Sequence, residues 1–189
     1  LIREVIVTSR SPAGAPHIAP MGITERDGLV VVAPFRPSTT LDNLLAQRAA
    51  AINYTDDVRI FAGCLTGRSD WPLVDAERVA APRLTDALAH TEVELEAVEE
   101  DAVRPRLLCR PVFGATHAPF RGFNRAQAAV LELAILVSRL DRLPCDKIER
   151  EIAYLQIALD KTAGPLEREA WGWLMARVEA HAQSAEASL

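Results

Sequence analysis

Three cysteines in 189 residues, Cys64, Cys109 and Cys145, are too few and too widely spaced for a disulfide framework. None forms a C-x-x-C pair or stands near a histidine at ligand spacing, so a zinc site has no support. Reduced thiols in a cytoplasmic protein are the expected state. The four histidines, His17, His90, His117 and His181, are equally scattered, and a metal-dependent mechanism has no support in the sequence. A basic excess is missing as well. Against 26 acidic residues stand 21 Lys and Arg, giving a net charge of −5 and a pI of about 5.4. That balance offers no field for nucleic acid, although a local arginine cluster can still hold a phosphate. No apolar run approaches the roughly 20 residues that span a bilayer, so neither a membrane nor a nucleic acid is an expected partner. There is no internal repeat and no low-complexity segment. No Ser-His-Asp, Cys-His or paired-carboxylate constellation is visible.

What is present is ordinary globular composition, 49% hydrophobic and 25% charged. The length allows one ample domain or two small ones. Residues 2–9 are rich in β-branched side chains and end at the turn cluster Ser11-Pro12-Ala13-Gly14, which predicts a strand. Residues 16–24 resume extended structure, although Pro16 and Pro20 argue against a regular central ladder. Asp27-Gly28 is a hairpin signal, with Leu29 to Ala33 as the return strand. Ser38-Thr39-Thr40 caps a helix through Leu41, Leu44 and Leu45. Ala49 to Tyr54 reads as a buried strand, and Thr55-Asp56-Asp57 caps a short apolar segment to Cys64. Residues 67–86 read as a surface connection with little regular structure. Glu92, Glu94 and Glu96 then alternate with Val93, Leu95 and Ala97, predicting one wet and one buried face. Residues 103–113 pair with that strand, with Pro105 and Pro111 favouring an edge or a bulge.

The pattern becomes helical at Asn124. Asn124 with Gln127 forms a capping pair ahead of an apolar stripe, Ala126, Val130, Leu133, Val137 and Leu140. Asp146 with Glu149 is expected to cap a second helix carrying Ile148, Ile152, Leu155 and Leu159. Gly164-Pro165 stops it, and a third helix carries Ala170, Trp171, Leu174 and Val178 before a frayed polar tail. The expected architecture is α+β: a small β-barrel over 1–118, then a three-helix subdomain over 119–189.

The candidate site lies in residues 17–53. A helix N-terminus presents unpaired amides and partial positive charge, a natural seat for phosphate. Ser38, Thr39 and Thr40 add hydroxyls there, Arg36 adds formal charge, and Asn43 follows one turn later. The same three residues also make a plain helix cap. His17-Ile18-Ala19-Pro20-Met21-Gly22 can turn free backbone groups toward a flat heterocycle, or it can be an edge strand with a bulge. Asn53, inside an apolar run, either satisfies barrel backbone or holds a ligand-bearing loop. Arg121, Asn124 and Arg125, flanked by Phe120 and Phe123, can bind a second anion or simply open a helix.

Together these residues resemble the FMN-binding split-barrel proteins of the flavin reductase type. Ala19-Pro20-Met21-Gly22, Ser38-Thr39-Thr40-Leu41-Asp42-Asn43 and Ile52-Asn53 stand in the order of that group. Asn53-Tyr54-Thr55-Asp56-Asp57, Phe61-Ala62 and Phe123-Asn124-Arg125-Ala126 are similar to a branch known only as a domain of unknown function, with an added helical region. The resemblance implies a homodimer holding FMN, its phosphate on the Ser38–Thr40 turn and its ring against residues 19–22. It also implies a nicotinamide or another flat partner over the ring. The branch departs from the flavin reductases in its helical region, which can cover the place that NAD(P)H uses there.

Overall fold

The β-branched opening forms strand β1 (Arg3–Arg10), and the proline-bearing stretch after it forms a long strand β2 (Pro16–Arg26). In the computed structural model, which describes residues 1–186, the two pair antiparallel without a shift from Arg3↔Ile23 to Arg10↔Pro16. The ladder is thus regular where the prolines argued for irregularity. The physical reason lies on the other side of β2. On β2, strand β3 (Leu29–Val32) reaches only Ile23–Arg26, so Pro16 and Pro20 interrupt no ladder there. Asp27 and Gly28, at φ 53° and 80°, make the tight connection between β2 and β3.

Helix α1 (Thr39–Gln47) follows, then strand β4 (Ala49–Tyr54) and helix α2 (Val58–Leu65), whose N-cap is Asp57. The 67–86 region is more regular than expected, holding a two-stranded sheet of β5 (Leu73–Asp75) and β6 (Pro82–Leu84). Strands β7 (Ala89–Glu99) and β8 (Arg106–Thr116) complete a closed barrel in the order β1-β2-β3-β8-β7-β4. The expected bulge is present: Glu92 faces Phe113 while Val93 faces Pro111.

Contacts divide the chain into two units. The first is Leu1–Asp56 with Asp70–Phe120; the second is Asp57–Ser69 with the chain from Arg121 onward. In the first, the barrel interior is filled by Val5, Val7, Ile23, Val32, Ile52 and Leu107 with their neighbours. In the second, α3 (Arg125–Val137), α4 (Cys145–Thr162) and α5 (Pro165–Glu186) pack with α2 around Val130, Leu133, Trp171 and Leu174. Asn124 caps α3, accepting from the amides of Ala126 and Gln127 at 2.8 and 3.3 Å, and donates to Thr162 O at 3.1 Å. One expected cap is not made. Helix α4 starts at Cys145 behind Pro144, which places Asp146 inside the first turn. The tail is helical through Glu186, and its last residues, 187–189, lie outside the described part.

Candidate functional site

Ser38 has extended backbone and closes the first turn of α1. Its Oγ accepts from Leu41 N at 3.2 Å, and its carbonyl accepts from Asp42 N at 3.1 Å. Capping uses an oxygen lone pair, so the hydroxyl proton is left to donate. Thr39 stands exposed beside it, and its amide belongs to the first turn, which has no intrahelical partner. Thr40 differs from both: at 1% exposure its side chain is packed inside. The surface donors at this helix end are therefore the hydroxyls of Ser38 and Thr39 and the Thr39 amide.

Arg36 lies two residues before Ser38 but is engaged elsewhere. Its Nη2 meets Glu100 at 2.7 Å and its Nε donates to Asp101 O at 3.3 Å. Both side chains of that ion pair are exposed, so the pairing is weak and exchangeable. Asn43, buried, donates through Nδ2 to Ser9 Oγ at 3.0 Å. Ser9 is the register partner of His17, so this contact ties α1 to the start of the His17–Gly22 stretch. His17 is half-buried, and burial pushes its pKa below the ordinary value, favouring a neutral ring. Ala19, Pro20, Met21 and Gly22 follow along the same half-exposed strand. A Cβ on Gly22 would meet Ile2 Cγ2 at 2.8 Å, so the space above this glycine is taken by a neighbouring side chain.

Asn53 is fully buried and its amide is committed to protein. Nδ2 donates to Ile6 O and Thr8 Oγ1, each at 3.0 Å, and Oδ1 accepts from Leu84 N at 2.8 Å. These partners are backbone and Thr8, and through them Asn53 fastens β6 across β1 and β4. Arg121, Asn124 and Arg125 belong to the second unit, where Asn124 is a helix cap and the two arginines are exposed.

A cluster that the sequence reading missed lies on β7. Glu92, expected on a wet face, is fully buried because the 76–82 segment covers it. Its carboxylate accepts from the amides of Glu77, Arg78 and Val79 at 2.7, 2.7 and 3.1 Å, and from His90 Nε2 at 3.1 Å. Burial alone would raise its pKa; the amides and His90 outweigh burial and hold it below the ordinary value. His90 Nδ1 meets His117 Nε2 at 2.9 Å, with the two ring planes only 11° apart. The available signal was the i, i+2 spacing of His90 and Glu92, which puts both on one strand face. The third member, His117, comes from just past the end of β8, 27 residues away.

This geometry defines a class before any relative is considered: a closed six-stranded barrel whose first helix presents hydroxyl and amide donors, accompanied by a helical unit. Residues 3–118 match the family described as "Protein of unknown function (DUF447) N-terminal domain", and residues 124–176 match its "Protein of unknown function (DUF447)" companion. The chain belongs to the DUF447 family. Among solved structures it is similar to an FMN-bound DUF447 protein from Methanosarcina mazei, at 21% identity and TM-score 0.80, covering 93% of this chain and 94% of that one. It also resembles the flavin reductase component of a bacterial two-component tryptophan halogenase (17%, TM-score 0.53, 63% and 82% of the chains). An FMN-binding protein from Thermus thermophilus with bound p-hydroxybenzaldehyde is similar too (17%, TM-score 0.52, 60% and 71%). The fold is that of the flavin reductase-like split barrels. No curated protein matched the chain.

Proposed function

We propose that this chain is an FMN-binding flavoprotein acting as an oxidoreductase, taking electrons from a reduced nicotinamide or another donor and passing them to a small acceptor. The observation that carries the reading is the N-terminus of α1, which offers the hydroxyls of half-exposed Ser38 and exposed Thr39 beside a first-turn amide. The fit to a phosphomonoester is good in donor chemistry and modest in charge. Asp42 stands in the same turn, and Arg36 must leave Glu100 to serve the anion. Support also comes from the fold, shared with a relative described as FMN-bound.

On this reading Ser38 and Thr39 hold the phosphate, with Thr40 and Asn43 fixing the helix that carries them. His17 and Ala19–Gly22 border the ring, and Asn53 holds the sheet behind them. Arg121, Asn124 and Arg125 are the candidates for a second anionic group. When bound, the flavin supplies the electron chemistry, and the protein supplies binding, orientation and shielding from water. A homodimer in the cytoplasm is part of the proposal.

Purified protein titrated with FMN and followed in the flavin absorbance bands tests the reading. Ser38→Ala combined with Thr39→Ala should weaken FMN binding by about 1.5–3 kcal/mol. Loss of the cap alone costs on the order of 1 kcal/mol of stability and leaves ligand affinity untouched. Unchanged affinity with a lower Tm would return both residues to capping. If the protein stays colourless in excess FMN, the proposal fails. A bound flavin that neither NADH nor NADPH bleaches would count against a nicotinamide-linked reductase, and one that stays oxidised under reductants of physiological potential would mark a carrier or sensor.

A further inference from the structure

Outside the flavin residues, Glu92, His90 and His117 form a single hydrogen-bonded line running from a fully buried carboxylate to an exposed imidazole. Where its protons lie follows from counting partners. An ionised carboxylate offers about four lone-pair positions. Glu92 fills them with four donors: the amide of Glu77 and His90 Nε2 on one oxygen, the amides of Arg78 and Val79 on the other. A proton on Glu92 would displace one of these, so the carboxylate is ionised and His90 carries hydrogen on Nε2. The 2.9 Å contact between His90 Nδ1 and His117 Nε2 then needs one proton, contributed by one ring or the other. Two of the line's protons are thereby fixed. The remaining nitrogen is Nδ1 of His117, at the exposed end.

We infer that Glu92, His90 and His117 act as one acid–base unit, which takes up and releases its proton at Nδ1 of His117 and carries the resulting positive charge inward to His90, beside Glu92. In the neutral unit His117 bears hydrogen on Nε2 and donates it to His90. A proton arriving from water, or from a ligand with an acidic hydroxyl, binds His117 Nδ1. The hydrogen on Nε2 of His117 passes to Nδ1 of His90. His90 becomes the imidazolium and keeps its Nε2 hydrogen on Glu92, while His117 ends neutral in its other tautomer. The donor gives up one O–H bond, on the protein only N–H bonds are made and broken, and nothing is oxidised or reduced.

The groups facing the line agree with that direction of transfer. Burial, then Arg83 on β6 and His90 itself, disfavour a cation on His117, while His90 Nε2 stands 3.1 Å from the Glu92 carboxylate. Phe113 on β8 lies tilted against the His90 ring at a centroid distance of 5.8 Å and adds no charge. Glu77 and Arg78 meet Glu92 through their backbone amides. The flavin reading is not required, because the unit is complete without it.

Imidazole 15N NMR on the full chain, without FMN and across about pH 5 to 8, reads the inference directly. His117 should lose its unprotonated Nδ1 signal on acidification, with His90 moving at the same midpoint and becoming the imidazolium. Independent midpoints, or a His117 that keeps its hydrogen on Nε2 through the acid transition, would overturn it. Glu92→Gln should lower the unit's proton affinity at least about tenfold, one pH unit. His117→Phe keeps an aromatic ring at an exposed position, leaves Glu92 and its amide partners in place, and should lower the midpoint of His90 by a similar factor. If His90 titrates unchanged in His117→Phe, the three residues are not one unit.

Discussion

Two sets of side chains in the first unit are equally hidden from water and built in opposite ways. Inside the barrel, Val5, Val7, Ile52 and Leu107 are fully buried and wholly apolar. On the outer face of β1, β4 and β7, under the 70–88 segment, the buried residues include Thr8, Asn53, His90 and Glu92. Each of these has a named partner: Thr8 Oγ1 donates to Pro82 O at 2.6 Å, Asn53 accepts from Leu84 N, and Glu92 accepts from the 77–79 amides. The apolar set stabilises in proportion to area and is indifferent to small slips. The polar set is satisfied in one arrangement only, so it fixes where the covering segment lies.

Truncating one member of each set should break the comparison most visibly. Leu107→Ala leaves a cavity in the barrel and should cost about 2–5 kcal/mol, read by urea unfolding. Glu92→Ala strands three amides and a histidine and should cost about 3–5 kcal/mol. The two should separate in hydrogen exchange. Leu107→Ala should leave exchange at Glu77, Arg78 and Val79 tracking the unfolding of the whole unit, while Glu92→Ala should release those amides early. A Glu92→Ala protein as stable as wild type, with the three amides still protected, would show that the carboxylate does not hold the segment.

Acidification probes the same contrast with a smaller effect. The folded-state pKa of Glu92 lies below its ordinary value of 4.5, so its contribution is fully present above that value. It is lost as pH falls through the folded-state value. Glu99 and Asp101 are held down as well, by Arg26 and by the Arg104 amide respectively, but both are exposed and screened. Urea midpoints should therefore drop below about pH 4.5, and Glu92→Gln should flatten most of that dependence. An equally steep loss in Glu92→Gln would assign it to other carboxylates.

The apolar set was legible from sequence and the polar set was not, for a reason rooted in periodicity. Alternation in residues 92–97 correctly puts Val93 and Leu95 inside. Alternation cannot tell a face that meets water from one that meets another segment, and Glu92 looks the same in both. A bulge between Leu95 and Ala97 also turns Ala97 out to solvent, against expectation. Local signals served well: Asp27-Gly28 gives the hairpin, Ser38 the cap of α1 and Asn124 the cap of α3. Contacts that depend on register over long separations, such as His90 with His117, carry no local signal at all. For the candidate site, sequence found the donors of the α1 turn but could not separate exposed Thr39 from buried Thr40, nor see that Arg36 is held by Glu100.

Gly22 offers the finest test, because it belongs to neither buried set. An added Cβ would touch Ile2 Cγ2 at 2.8 Å and Glu4 Oε1 at 3.3 Å. Ile2 is an exposed side chain near the chain start and can swing aside. Gly22→Ala should thus change stability by no more than about 0.5 kcal/mol. Its value lies in separating packing from ligand approach. If the flavin ring borders residues 19–22, the extra methyl should weaken FMN binding while the unfolding midpoint stays put. If neither moves, the ring lies elsewhere, and the glycine reflects only the close passage of β1 beside β2. If stability falls by several kcal/mol, Ile2 is held more firmly than its exposure implies, and the strand's first residues join the core.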